Sequence, residues 1–143
     1  MQTVRDLLAK KGREICSVSP DSTVYAALAL MAEKNIGAVL VLEGSRPVGI
    51  LSERDYARQV ILKGKASKET PVREIMTTRV VFVRPEQNIE ECMAIMTDKH
   101  CRHLPVLEEG RLIGILSIGD VVKAVISEKQ FLIQQLENYI TSG

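Results

Sequence analysis

Apolar and polar positions along this chain follow two rhythms, and the switches between them mark out the elements. Val24, Ala27, Leu28 and Met31 recur at i, i+3, i+4 and i+7, the period of one helix face. Ile89, Cys92, Met93 and Met96 repeat that pattern further along. Short apolar runs rich in β-branched residues predict strands at Ile15–Val18, Ala38–Leu42, Val48–Ser52, Val80–Val83, His103–Leu107 and Leu112–Ser117. Glu43-Gly44-Ser45-Arg46 and Glu108-Glu109-Gly110-Arg111 are polar, Gly-containing turns of hairpin length between neighbouring runs. Ser19-Pro20-Asp21 and Arg84-Pro85-Glu86 each stop a strand and start a helix. Short helices are predicted over Val4–Ala9 and Val72–Met76, and later ones beginning near Glu53 and near Ile118.

The elements come in duplicate. Shifted by 65 residues, Ser19–Ile61 lies on Arg84–Ile126 without a gap, and 15 of the 43 positions are identical. The tightest block sets GILSERD (Gly49–Asp55) over GILSIGD (Gly114–Asp120). Upstream, VRDLL (Val4–Leu8) matches VREIM (Val72–Met76) at a spacing of 68. The order β-α-β-β-α therefore occurs twice, an α/β (α+β) chain whose copies are too small to bury enough surface alone. The polar, basic stretch LKGKASKETP (62–71) marks the junction. This places a first repeat at 1–62, a linker at 63–71, a second repeat at 72–127 and a helical tail at 128–143. In the tail, Phe131, Leu132, Leu136, Tyr139 and Ile140 fall at helical spacing, a stripe suited to the module itself or to a second subunit.

Composition narrows the function classes. The 19 basic and 18 acidic side chains nearly cancel, which argues against a broad nucleic-acid footprint but leaves room for a small cationic pocket. The longest apolar run, near Ala38–Leu42, is far short of the roughly 20 residues a membrane span takes. The first residues lack the apolar centre of a secretory signal. Cys16, Cys92 and Cys101 are odd in number and outside disulfide or CxxC spacing, as expected of reduced thiols in a cytoplasmic protein.

With two β-α-β-β-α copies, each carrying a Gly-apolar-apolar-Ser-x-x-Asp segment, and with RHLPVLEEG (Arg102–Gly110) in the second, the chain resembles a pair of cystathionine-β-synthase (CBS) domains, a Bateman module. The likeness runs from Val4 to about Ser127. It implies a pseudo-twofold pair with a C-terminal helix, and clefts between the repeats that hold AMP, ADP, ATP, S-adenosylmethionine or NAD(H). It also implies a homodimer of modules and a regulatory, signal-transducing role exerted on an unidentified protein partner.

Within that frame, Asp55 and Asp120 are the ribose-binding candidates, because one carboxylate can accept both vicinal hydroxyls. Ser52 and Ser117 would face sugar or phosphate together with the free helix-start amides. The competing reading is purely structural: Ser followed by an acid three residues on is a capping-box variant, although Glu would serve a cap better than Asp. Gly49 and Gly114 mark either a close approach by backbone or ligand, or a simple bulge. The resemblance makes Arg102 and His103 phosphate ligands, Arg's planar fork suiting paired anionic oxygens. Against this stands an exposed edge Arg and a satisfied His. The first copy has no basic residue or Pro there, and Gly37 and Ala38 would instead admit adenine against bare backbone. Leu104 and Pro105 take that place in the second copy. Arg54 is the first copy's phosphate candidate. Arg58 also belongs to that copy, and the counterparts of the two are Gly119 and Lys123. The clefts are thus expected to differ.

His100, Cys101 and His103 fall short of a metal set, since His100 points away from the other two on an extended strand. A Cys–His catalytic pair lacks an orienting third residue. Cys92 belongs to an apolar helical stripe. No metal, no catalytic residue and no catalytic cofactor is expected, nor is a nucleic-acid or membrane partner. The competing function is a constitutive dimerising or scaffold subunit without ligand.

Overall fold

A computed structural model of the protein describes residues 2–142. The chain divides into two compact units, Glu14–Val81 and Met1–Arg13 with Phe82–Gly143. The first thirteen residues by sequence thus fold with the second copy, and Val72–Val81 fold with the first.

The Glu14–Val81 unit holds β1 (Ser17–Val18), α2 (Val24–Lys34), β2 (Ala38–Glu43), β3 (Arg46–Ser52) and α3 (Glu53–Tyr56), following α1 (Val4–Lys11) in the chain. Its sheet has the order β1-β2-β3, with β1 parallel and β3 antiparallel to β2. Thr23 caps α2 by accepting from the Ala26 amide, and Asn35 ends it in the left-handed region. The predicted helical stripe is the buried one. Val24, Ala27 and Met31 pack with Val39, Val41, Leu51, Val60, Val72 and Ile75. Beyond α3 the helix widens into a π turn at Ala57–Ile61.

The other unit repeats the scheme with α4 (Ile89–Lys99), β4 (His103–Glu108), β5 (Arg111–Ser117) and α5 (Ile118–Ser142). Its interior carries the matching positions: Ile89, Cys92, Met96, Leu104, Val106 and Leu116 are all buried. Both hairpins slip register at the same place, after Val41 and after Val106.

Three differences from the sequence expectation have local causes. The strand expected at Val80–Val83 shrinks to one bridge, Val83 to Val106. In the first copy the Leu40 amide donates to Cys16 O (3.1 Å); the equivalent residue in β4 is Pro105, which has no N–H to give. The helix expected at Val72–Met76 is a single 3-10 turn, Val72–Glu74, preceded by Pro71 without a side-chain cap. Val4–Lys11, by contrast, has a full Thr3–Asp6 capping box and a run of strong helix formers. Finally, the last helix and the tail are one element, because no Gly or Pro interrupts the chain between Asp120 and Ser142.

The two lead-in segments dock alike. The Val72 amide donates to Ser22 O (2.8 Å) and the Arg73 amide to Pro20 O (3.1 Å). The Val4 amide donates to Gln87 O (2.8 Å) and the Arg5 amide to Pro85 O (3.0 Å). Arg73 pairs with Asp21 and Arg5 with Glu86, again at matching positions.

Candidate functional site

The segments singled out by the repeat converge within each unit. In the first, Ala38 pairs with Ser52 across the β2–β3 ladder. The Glu53 amide at the start of α3 donates to Gly37 O (3.0 Å). In the second, His103 pairs with Ser117, and the Ile118 amide donates to Arg102 O (2.8 Å). The residues before each central strand therefore lie against the helix start that carries the acid. Their side chains differ in availability: Arg54 and Arg102 are exposed, Gly37 and His103 half-buried, and Ala38, Leu104 and Pro105 buried.

Both acids act as caps. Asp55 Oδ2 accepts from the Ser52 amide (3.0 Å) and the Ser52 hydroxyl (3.1 Å), and the Asp55 amide donates to Ser52 Oγ (3.1 Å). Asp120 Oδ2 accepts from the Ser117 amide (2.8 Å), and its own amide donates to Ser117 Oγ (3.2 Å). The shorter Asp side chain closes the box at ordinary hydrogen-bond distances, so the choice of Asp over Glu carries no weight against a capping role.

What else each carboxylate meets separates the copies. Asp55 Oδ1 accepts from the Thr77 hydroxyl (3.3 Å), on a segment held by reciprocal Ile50–Thr77 backbone bonds of 2.9 Å. Asp120 meets an ammonium instead: Lys11 Nζ lies 2.6 Å from its Oδ2 and 2.7 Å from Ile115 O. Partial burial pushes the Asp120 carboxyl up, but Lys11 and the Ser117 amide outweigh it and hold the pKa below its ordinary value. Asp120 Oδ1 accepts no hydrogen bond among the described residues.

Asp120 also lines a hollow of about 390 Å³ with Gln2, Leu7, Lys10, Lys11, Lys123, Ala124 and Ser127. Three lysines and one aspartate thus line a half-open cavity. The buried Gln2 Oε1 has no hydrogen-bond partner among the described residues. Lys10, Lys11 and Gln2 escaped sequence reasoning because they belong to the first copy by sequence and to the second by folding. The 68-residue echo stopped at Leu8, and nothing in the linear pattern revealed the exchange.

Gly49 and Gly114 owe their identity to the lead-in segments. A Cβ on Gly49 would lie 2.7 Å from Met76 Sδ and 3.0 Å from Thr77 O; one on Gly114 would lie 2.6 Å from Leu8 Cδ2. A backbone does approach Gly49, at the Thr77 carbonyl, whereas only the Leu8 side chain approaches Gly114, and each glycine pairs at the register slip. Burial pushes the Cys92 thiol up to about 11 and raises that of Cys101, the reverse of an activated nucleophile. Among the described residues no three His, Cys, Asp or Glu side chains cluster as a metal set, and no helix is long and apolar enough to cross a membrane.

Comparison with known proteins agrees with this architecture. The model of the CBS domain family matches twice, at residues 3–61 and 72–127. The mitochondrial CBS domain-containing protein CBSX3 of Arabidopsis thaliana is 39% identical over 150 residues, covering 99% of this chain and 73% of its own. YhcV, a CBS domain-containing protein of Bacillus subtilis, is 32% identical over 121 residues, 85% of this chain and 84% of its own. The solved structure of a CBS-domain protein from Burkholderia ambifaria MC40-6 superposes with a TM-score of 0.86 at 52% identity, covering 88% of this chain and 95% of the other. With the family matched over both repeats, and with the same lead-in, strand and helix-start geometry built twice, this chain belongs to the CBS domain family as a tandem pair.

Proposed function

We propose that the chain is a regulatory module that binds an adenosine-containing ligand, AMP, ADP, ATP or NAD(H), and passes binding on as a conformational shift to a partner protein. CBS-domain proteins are generally regulatory modules, often for adenosyl ligands. The observation that carries the proposal is the hollow at Asp120. A carboxylate with one oxygen open can accept a sugar diol, and Lys10, Lys11 and Lys123 stand around it to meet phosphate. Asp55 is the corresponding ribose ligand of the first copy, with Ser52 and Ser117 at the two helix starts. Arg54, Arg102 and His103 are assigned to phosphate, and Gly37, Ala38, Leu104 and Pro105 to adenine through their backbone. Two such modules would act as a homodimer. No catalytic role is assigned, because the acids face caps and cations and the thiols are raised rather than activated.

Calorimetry and thermal shift with AMP, ADP, ATP, NADH, S-adenosylmethionine and adenosine test the proposal. A ligand present at 100 times its Kd should add about 2.7 kcal/mol of stability. The capping geometry favours a second reading, a dimerising scaffold whose acids serve only their helices. Absence of any shift with every adenosyl compound would select it.

A further inference from the structure

Lys11 makes two contacts that compete with a ligand at Asp120. Its Nζ lies 2.6 Å from Asp120 Oδ2 and 2.7 Å from Ile115 O. The same Oδ2 accepts from the Ser117 amide (2.8 Å), a backbone group fixed at the helix start. The lysine is not fixed: its side chain is 35% exposed, and its charge sits on a flexible four-carbon stem. In the first copy the added partner is neutral, the Thr77 hydroxyl 3.3 Å from Asp55 Oδ1. A sugar diol reaching Asp120 therefore shares the carboxylate with a cation, and an uncharged nucleoside gives that cation no new partner. A phosphate does. Lys10 of α1 and Lys123 of α5 line the same hollow of about 390 Å³, a volume typical of small-ligand sites. Gln2 lines it too, and its buried Oε1, without a partner among the described residues, would be satisfied by a ligand hydroxyl or amino group. The walls thus call for an anion and a hydrogen-bond donor on one molecule.

On the reading of this hollow as an adenosyl site, on which the inference rests, we propose that Lys11 sets its ligand class by leaving Asp120 for ligand phosphate when a nucleotide binds. The exchange frees Oδ2 for the diol in the same movement that neutralises the phosphate. Specificity is a difference of affinities, and one ammonium here acts on both sides of it. It penalises adenosine, which cannot draw it away, and favours AMP, ADP, ATP or NAD(H), which can. S-adenosylmethionine brings a sulfonium in place of a phosphate, a further cation beside three lysines, and is excluded most strongly.

Calorimetric titration of the full chain tests the exchange, in an Asp55→Asn background that removes the proposed ribose ligand of the first copy. Lys11→Met keeps the stem and deletes the charge. It should weaken ADP about tenfold or more, and at the same time strengthen adenosine about threefold. Lys10→Met should weaken ADP without any gain for adenosine, since the pair to Asp120 is made by Lys11. Lys11→Arg keeps a cation and should keep ADP ahead of adenosine, which separates the exchange from misfolding. Inorganic pyrophosphate alone should bind the wild type, and bind Lys11→Met about tenfold more weakly. If ADP and adenosine shift in the same direction in Lys11→Met, or if pyrophosphate binding is indifferent to Lys11, the exchange is overturned while the adenosyl reading stands. Failure of every adenosyl compound to bind would overturn both.

Discussion

Asp120 carries three roles on one carboxylate: cap to its own helix, partner to Lys11, and proposed grip on a sugar. Substitution separates them. Asp120→Asn keeps an oxygen for the Ser117 amide but drops the charge, whereas Asp120→Ala removes both. We expect either change to weaken ligand binding by about 1.5–3 kcal/mol, the worth of hydrogen bonds to a charged group, with Asp55→Ala doing the same at the other copy. Both should lower the melting temperature through loss of the Lys11 pair, and the alanine further through loss of the cap. Calorimetric titration alongside thermal unfolding distinguishes the two; lower melting with unchanged affinity would leave Asp120 a cap alone. The pH dependence has a definite sign. The carboxyl is held below its ordinary value in the folded protein, so the Lys11–Asp120 pair stabilises fully above the unfolded value of about 3.9. That contribution fades as pH falls through the lower folded value. The melting curves of wild type and Asp120→Asn should therefore differ at pH 6 and converge well below pH 4. The glycines supply a second contrast. At Gly49 one of the crowding atoms is the Thr77 backbone carbonyl, which cannot step aside; at Gly114 every close atom belongs to the Leu8 side chain. Gly49→Ala should cost about 1–3 kcal/mol in urea unfolding, and Gly114→Ala less.

At the scale of elements, what could be read in the chain depended on how local its cause was. The helices at Val24–Lys34 and Ile89–Lys99 declared themselves through a four-residue stripe carried by neighbouring residues, while their caps, Thr23 and Asn88, lie beyond the Pro-containing breaks read as helix starts. Both hairpins were legible for the same reason, and Glu109 and Gly110 do adopt the positive φ that their turn demands. The second copy's missing first strand was written in Pro105, but its meaning needs a partner strand: a proline counts against a ladder only where an amide would have donated. The site divided along the same line. Ser52, Asp55, Ser117 and Asp120 stood out because they repeat at one spacing, and the structure sets them at equivalent helix starts. Lys10 and Lys11 carry no such mark, since their nearness to Asp120 comes from a segment more than a hundred residues away in sequence. The lead-in helix is itself open to test. Thr3→Ala removes one half of a capping box and should cost about 1 kcal/mol, measured by chemical denaturation.

On the scale of the whole molecule, the duplication and the folding units do not coincide. By sequence, Val4–Lys11 opens the first copy, yet its buried face of Val4, Leu7 and Leu8 belongs to the unit built from the second. Val72 and Ile75 make the reciprocal contribution to the core of the first. Each half thus borrows the residues that cover its own GILS strand, and deletion of the first segment should damage the half that lies farther along the chain. Removing residues 1–13 would strip Leu8 from Gly114 and take the buried side chains of Val4, Leu7 and Leu8 out of the unit, at about 1.5–3 kcal/mol each. Hydrogen exchange read by mass spectrometry makes the prediction specific. Amides of β4 and β5 should lose protection in the truncated protein while those of β2 and β3, whose covering segment is Val72–Thr77, keep theirs. Loss of protection confined to the first copy would mean that the lead-in helix serves its sequence neighbour after all. If the expected pattern appears, the same deletion must also remove Lys10 and Lys11 from Asp120, so that the stability of one half and the charge of its hollow depend on a single segment.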